Sequence, residues 1–371
     1  MIYSIFIILS AILLYIYHYN KNNNDIYINM IFFFMWVIFA IEFYTTKDYP
    51  VYYDGFYDNR EHWEYIYTVL IKIFKPFGFI TFNAVVAAFE MFTFCFIFKK
   101  IVPPKYRWLS LAIIILNTDN LFIYMNLKRQ FFAMMVSLWI IYFLLYSNYK
   151  YKYIYAFLSF LCAINIHSSA YISAGYFLLP FLNFRLSKIG IFIIVFLYLA
   201  SYSFKLSSYS DLLTTFLMSS SNDSEYYEQY VLQQADYEGE ESGRGFFNNV
   251  YNILLFIVLL IFNKKFNNTQ FKFVLCAIFS LILMNILKGN FFRLYLYYSI
   301  FNHLVISIVL SILYAQRKKI LYTTMMFLAL TISVKSYLNA FILDKVTYMT
   351  IKYKHFYTIF HEHPDKSDYL F

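Results

Sequence analysis

Apolar residues run almost unbroken through stretches of about 15–23 positions, separated by short polar breaks. The stretches are 2–18, 27–44, 78–98, 108–125, 130–147, 152–166, 168–183, 187–204, 246–263, 271–288, 291–313 and 319–335. About 20 residues rising roughly 1.5 Å each cross a hydrocarbon layer of roughly 30 Å. The pattern therefore predicts an all-α, polytopic integral membrane protein with about twelve transmembrane helices. Because the runs are continuous rather than alternating, a closed barrel is excluded. The two runs flanking His167, 152–166 and 168–183, are short, so they are expected to tilt or to meet partway through the membrane. Residues 1–371 read as a single transmembrane domain, without repeats, a Gly-rich phosphate loop or a soluble domain.

Three segments break the rhythm. Residues 45–77 begin with tyrosines and acids, then place Trp63, Ile66, Tyr67, Leu70, Ile71 and Phe74 at near-helical spacing. That spacing predicts an amphipathic helix lying in the interface. Residues 205–245 are Ser-rich and then acidic, with Asp223, Glu225, Glu228, Asp236, Glu238, Glu240 and Glu241. A loop of that length has a function or is mobile. The tail, 336–371, holds Tyr353, Lys354, His355, Phe356 and Tyr357, a further interfacial piece.

Composition agrees: 61% of residues are hydrophobic and 14% charged, against about 45–50% and 25% in soluble domains. The aromatic excess gets no functional weight, because Asn, Ile and Lys are in surplus with it, as drift in coding composition produces. Cys95, Cys162 and Cys276 all lie in apolar runs and read as packed, unpaired thiols. The first run lacks a basic start and a cleavage site, so it is expected to stay as a helix. A net charge of +9 does not point to nucleic acid, since the basic residues sit in short loops.

Those loops set the orientation. One alternate set holds Lys21; Lys99, Lys100, Lys105 and Arg107; Lys150 and Lys152; Arg185 and Lys188; Lys264, Lys265 and Lys272; and Arg317, Lys318 and Lys319, with Asp25 as its one acid. This set is expected in the cytoplasm. Segments 45–77, 205–245 and 336–371 then face outward, and with them Asp48, Asp54, Glu64, Arg129, His167, Arg244 and Arg293.

Several of these have a functional reading beside a plainer one. Arg129-Gln130 opens a span, where a guanidinium either clamps a phosphate or snorkels to the headgroups, as Lys128 does more simply. Arg293 opens a span in the same way, and Arg244 lies in a Gly-Arg-Gly turn. His167, followed by Ser168 and Ser169, either transfers protons or joins two helices through a backbone bond, with the serines as caps. Asp48-Tyr49, Tyr52-Tyr53-Asp54 and Trp63-Glu64 pair rings with acids, as sugar sites do and as interfacial belts also do. Glu90 and Asp119 are acids within spans; Asp119, between Asn117 and Asn120, fits the wall of an outward cavity. No histidine or acid spacing indicates a metal.

The order Asp48-Tyr49, Tyr52-Tyr53 and Trp63-Glu64-Tyr65 before the third span, Arg129-Gln130-x-x-Ala133 at the fifth and His167-Ser-Ser-Ala170 at the seventh resembles the EpsG family. These are Wzy-like polysaccharide polymerases of capsule, exopolysaccharide and O-antigen assembly. Arg293 followed by Tyr295 is similar to the family's late Arg-aromatic element. The chain departs from the pattern at Trp63-Glu64, where Glu-Pro-Gly-like residues are expected.

The resemblance implies a GT-C-like membrane glycosyltransferase of the bacterial plasma membrane, without cofactor or metal. It would join undecaprenyl-pyrophosphate-linked oligosaccharide repeat units at the outer face. Arg129, Arg293 and Arg244 would hold the pyrophosphate. Asp48, Tyr49, Tyr52, Tyr53, Gln130 and Tyr295 would contact sugar. His167 is the first candidate for the base, Asp54 or Glu64 the second. Implied partners are the lipid-linked oligosaccharides, membrane lipid, and a chain-length regulator and flippase of the same pathway. An O-antigen ligase and a flippase for the same lipids are the alternatives. For the topology, cysteine labelling is expected to reach positions in 205–245 from outside the cell; labelling from the cytoplasm alone would reverse the orientation.

Overall fold

A computed structural model describes residues 2–19, 25–43, 46, 48–58, 63–183, 185–203, 246–287 and 292–341. Every regular element among them is helical. Five stretches are long and apolar enough to cross a membrane: Ile2–Tyr19, Tyr65–Ile101, Lys128–Leu145, Asn268–Ile286 and Arg293–Ala315. Ile26–Ile41, Lys152–Ile164, Lys188–Ser201 and Asn248–Ile261 are shorter apolar helices. This is a multi-pass membrane protein. Large side chains such as Ile8, Phe33, Phe92, Phe157, Phe192 and Phe327 are more than half exposed, as acyl chains permit and water does not.

The chain divides into two compact units, Met1–Leu182 with Ile306–Phe371, and Asn183–Val305. In the first, α1 (Ile2–Tyr19) is tied down near both ends. Tyr3 Oη donates to the Ile115 carbonyl at 3.2 Å and Tyr17 Oη to that of Pro104 at 2.9 Å. Next, α2 (Ile26–Ile41) packs on α5 (Gly78–Ile101), with Trp36 Nε1 donating to the Ala84 carbonyl at 2.9 Å.

Between α2 and α5 lie α3 (Tyr49–Tyr57) and α4 (Tyr65–Phe74). The expected amphipathic segment is α4, which buries Tyr67 and Ile71. It does not run straight into α5. Pro76 ends it in a short 3₁₀ turn, and Gly78 turns the chain at φ +81°, a value that suits glycine.

The expected span over 108–125 is two helices, α6 (Arg107–Leu116) and α7 (Thr118–Asn126), broken at Asn117 with ψ 75°. After them come α8 (Lys128–Leu145) and α9 (Lys152–Ile164). The run 168–183, expected as an α-helix, is instead a 3₁₀ helix, Ser168–Phe181. Its burial follows the tighter repeat. Ala170, Ser173, Tyr176 and Leu179 are its buried residues, one every third position, which is the 3₁₀ repeat. At its larger rise per residue, a 3₁₀ helix of this length reaches about a third further than an α-helix would. A run too short for an α-helical crossing thus gains length. It packs on α8 and α9.

The second unit contains α10 (Lys188–Ser203), α11 (Phe246–Ile261), α12 (Asn268–Ile286) and the start of α13 (Phe292–Ala315). Asn267 and Gln270 form a reciprocal capping box that starts α12, satisfying two N–H groups that the helix itself cannot. Asparagine-to-serine bonds join its helices, Asn285 Nδ2 to Ser201 Oγ at 3.0 Å and Asn302 Nδ2 to Ser280 Oγ at 2.7 Å, the kind of polar contact that links helices in lipid. The last helix, α14 (Lys319–Phe341), packs on α6 and α7 of the first unit. The segment 205–245 and residues 342–371 of the tail lie outside the described residues.

Ion pairs bracket α2. Asp25, just before it, pairs with Arg107, which also donates to the Lys99 carbonyl at 2.7 Å. Glu42, just after it, pairs with Lys128 Nζ at 2.6 Å. Lys128 is buried, so it does not snorkel; this corrects the simpler reading of that lysine. The lysine donates as well to Asn83 Oδ1 at 3.0 Å, and Thr46 Oγ1 donates to Glu42 Oε1 at 2.8 Å. Removing one member of such a pair strands the other. Lys128→Met is expected to cost about 3–5 kcal/mol, and adding Glu42→Leu to recover most of it, as thermal unfolding in detergent would read.

Candidate functional site

The two cations that open α8 sit at the wrong end of a helix. Lys128 is its first residue and Arg129 its second, where the helix dipole is positive. Both find carboxylates. Lys128 takes Glu42, and Arg129 Nη1 takes Glu64 Oε2 at 2.7 Å. Neighbours along one helix thereby fasten it to two different segments, one after α2 and one before α4.

Glu64 has a second donor. Its Oε1 accepts the Ser168 backbone N–H at 2.8 Å, at the first residue of the 3₁₀ helix. A main-chain bond runs beside it, Ile66 N–H to the Asn165 carbonyl at 2.9 Å. One carboxylate therefore joins α8, the start of α4 and the turn after α9. Two aromatic rings lie close to the guanidinium. Arg129 Cζ lies 5.1 Å from the Trp63 ring centre and 5.8 Å from that of Tyr67. Arg129 Nε is buried and lacks a hydrogen-bond acceptor among the described residues.

His167 lies in that same turn. Asn165 ends α9, its Nδ2 donating back to the Leu161 carbonyl at 2.8 Å. His167 is extended, φ −157° and ψ 125°, and caps the 3₁₀ helix with its own side chain. The serines were the expected caps. Instead the imidazole Nδ1 accepts the Ser169 N–H at 3.1 Å, and Ser169 Oγ lies 2.7 Å from the same nitrogen. A nitrogen that accepts a backbone N–H carries no proton, so the neutral ring has its proton on Nε2 and its basic lone pair toward Ser169. Ser169 thus meets the imidazole through both its N–H and its hydroxyl, a contact its position in the sequence did not reveal.

The aromatic–acid pairs of 48–54 fall on α3 and its start. Asp48 exchanges bonds with Asn126: its N–H reaches Asn126 Oδ1 at 2.9 Å, and Asn126 Nδ2 reaches Asp48 Oδ2 at 3.0 Å. Tyr49 is buried beneath Lys128, whose Nζ lies 5.3 Å from the ring centre. Tyr52 is buried with its ring 6.1 Å from Trp63. Tyr53 stands over Phe79 and Tyr57, and Asp54 is exposed. Burial, then Tyr57 and Asp54 beside it, push the Tyr53 phenol above its ordinary range and keep it a neutral donor. Gln130 is buried in the first turn of α8.

Arg293 and Tyr295 lie in the first turn of α13, in the second unit, both partly exposed. Arg244 and the Asp119 side chain lie outside what is described. Glu42, Asn83 and Thr46 were missed. Their signal was an acid at the very end of the apolar run 27–44, which a lipid-facing helix would not keep without a partner. Glu90, also buried, lies within electrostatic range of Lys128 and Glu42, and its Oε1 has no hydrogen-bond partner among the described residues. No group of three or more metal-binding side chains occurs among the described residues.

A model of the EpsG family matches residues 25–355. No curated protein and no solved structure matches the chain.

Proposed function

The chain belongs to the EpsG family, and on that premise we propose that it is a membrane glycosyltransferase that polymerises undecaprenyl-pyrophosphate-linked oligosaccharide repeat units. The work is done at the outer face of the bacterial plasma membrane, on a GT-C-like scaffold. One observation carries the reading. Glu64 contacts Arg129 and Ser168, 65 and 104 positions away, so a guanidinium, a carboxylate and the His167 turn share one place. An arginine held in aromatic walls at the end of a membrane helix suits a lipid diphosphate.

The transfer balances as follows. An acceptor-sugar hydroxyl attacks the anomeric carbon of the donor, and a new C–O bond forms. The bond from that carbon to the diphosphate breaks, and its electron pair leaves on the diphosphate oxygen. Arg129 stabilises the charge that develops there. Arg293 and Arg244 keep the diphosphate-binding role that the family resemblance implies. The hydroxyl proton passes through Ser169 Oγ to His167 Nδ1, whose lone pair gives up the Ser169 N–H as it takes the proton. Asp54 is the other proton acceptor, while Glu64 is engaged by two donors in this state. Asp48, Tyr49, Tyr52, Tyr53, Gln130 and Tyr295 are assigned to the sugars and to the wall around them. Water must be kept out, since it would hydrolyse the donor. A chain-length regulator and a flippase are the proposed partners.

Purified protein given only lipid-linked repeat units is expected to build a ladder of long glycans. Arg129→Ala should reduce chain extension by about 10²–10³-fold, and His167→Ala by about 10²–10⁴-fold, leaving single repeats. Ser169→Ala should fall between His167→Ala and the unmodified protein. A normal ladder from Arg129→Ala overturns the assignment. A ladder from the unmodified protein with no other acceptor present rules out ligation.

A further inference from the structure

We propose that Glu64 is a removable occupant of the Arg129 anion site, and that a lipid diphosphate binds by taking its place. The proposal rests on the reading of Arg129 as the diphosphate-binding residue. The donors around Glu64 are those a phosphate would use. A guanidinium nitrogen of Arg129 meets one carboxylate oxygen at 2.7 Å, and the Ser168 backbone N–H at a helix start meets the other at 2.8 Å. A carboxylate there behaves as an internal copy of the ligand.

The copy fills the site incompletely. Arg129 can present a fork of two parallel N–H donors, yet Glu64 is bonded to Nη1, and the buried Nε has no acceptor among the described residues. A phosphate has three oxygens and more charge, so it can meet the N–H that the carboxylate leaves over. The exchange also leaves the arginine where it is. The guanidinium also lies over the Trp63 and Tyr67 rings, so losing Glu64 removes one contact among several. Glu64 is free to leave by a side-chain rotation. It sits before α4 in extended backbone, ψ 150°, its side chain makes no capping bond with that helix, and it is partly exposed.

The exchange has two uses. At rest it spares the membrane an unpaired guanidinium, which is costly there. It also sets a threshold: a weaker, singly charged anion competes poorly with a tethered carboxylate, and a diphosphate competes well.

The full chain, purified in detergent, would be titrated with farnesyl diphosphate, a short lipid diphosphate, and separately with inorganic pyrophosphate. If the carboxylate holds the site most of the time, Glu64→Gln should bind farnesyl diphosphate roughly tenfold more tightly than the unmodified protein. Arg129→Ala should bind it no better with Glu64→Gln than without. A similar gain with pyrophosphate assigns the effect to the phosphates; a gain with farnesyl diphosphate alone shows that the lipid is needed too. In the unmodified protein, labelling of Glu64 by a carboxyl-directed diazo reagent, read by mass spectrometry, should rise on adding farnesyl diphosphate. Equal or weaker binding by Glu64→Gln, or unchanged labelling at saturation, overturns the exchange and leaves the diphosphate reading standing. Failure of every form to bind either probe overturns both.

Discussion

Two adjacent cations at the start of one membrane helix impose the constraint on which the first unit is built. Lys128 and Arg129 open α8, where the helix dipole repels them and the surroundings are apolar. Each must be met by an anion. Glu42 comes from the end of α2 and Glu64 from the start of α4. Successive residues on a helix point about 100° apart, so the two pairs draw in partners from different sides. Once both are satisfied, the segments after α2, before α4 and after α9 are fixed relative to α8.

The pairs differ in a way that suits different tasks. Glu42 is fully enclosed, and Asn83, Thr46 and the Tyr49 ring complete its surroundings and those of Lys128. Breaking that pair strands a buried charge, so it behaves as a fixed joint. Arg129 and Glu64 are each about one-fifth exposed, at 18% and 22%. Water reaches them, and so would a ligand headgroup. The arginine also has aromatic faces to rest on when its carboxylate is absent. One joint holds the scaffold while its neighbour stays exchangeable.

The His167 turn depends on the element that follows it. An α-helix over 168–181 would use a different repeat and present a different face to α8 and α9. With three residues per turn, Ala170, Ser173, Tyr176 and Leu179 form a single buried stripe. The first residue of that helix offers its N–H to Glu64, and the second offers both N–H and hydroxyl to the imidazole. Consecutive donors at one helix start therefore serve a carboxylate from before α4 and the imidazole beside it.

The amino-acid pattern alone was enough for the class of the molecule. Continuous apolar runs have few outcomes besides membrane helices, because unpaired backbone groups are too costly in lipid. Residue type marked Arg129, Glu64 and His167 as unusual, since charge next to such runs has to be compensated. The three-residue stripe after His167 could not be read, because Ser173 lies on it and Tyr171, Ile172, Phe177 and Leu178 lie off it. The pairing could not be read. Nothing along the chain says which of Glu42, Glu64 and Glu90 belongs to Lys128 and which to Arg129. Which carboxylate met which cation, which pair was sealed and which stayed reachable, and that Glu64 would reach across 104 positions to a backbone N–H, were settled by packing. Those contacts join segments that no local preference brings together.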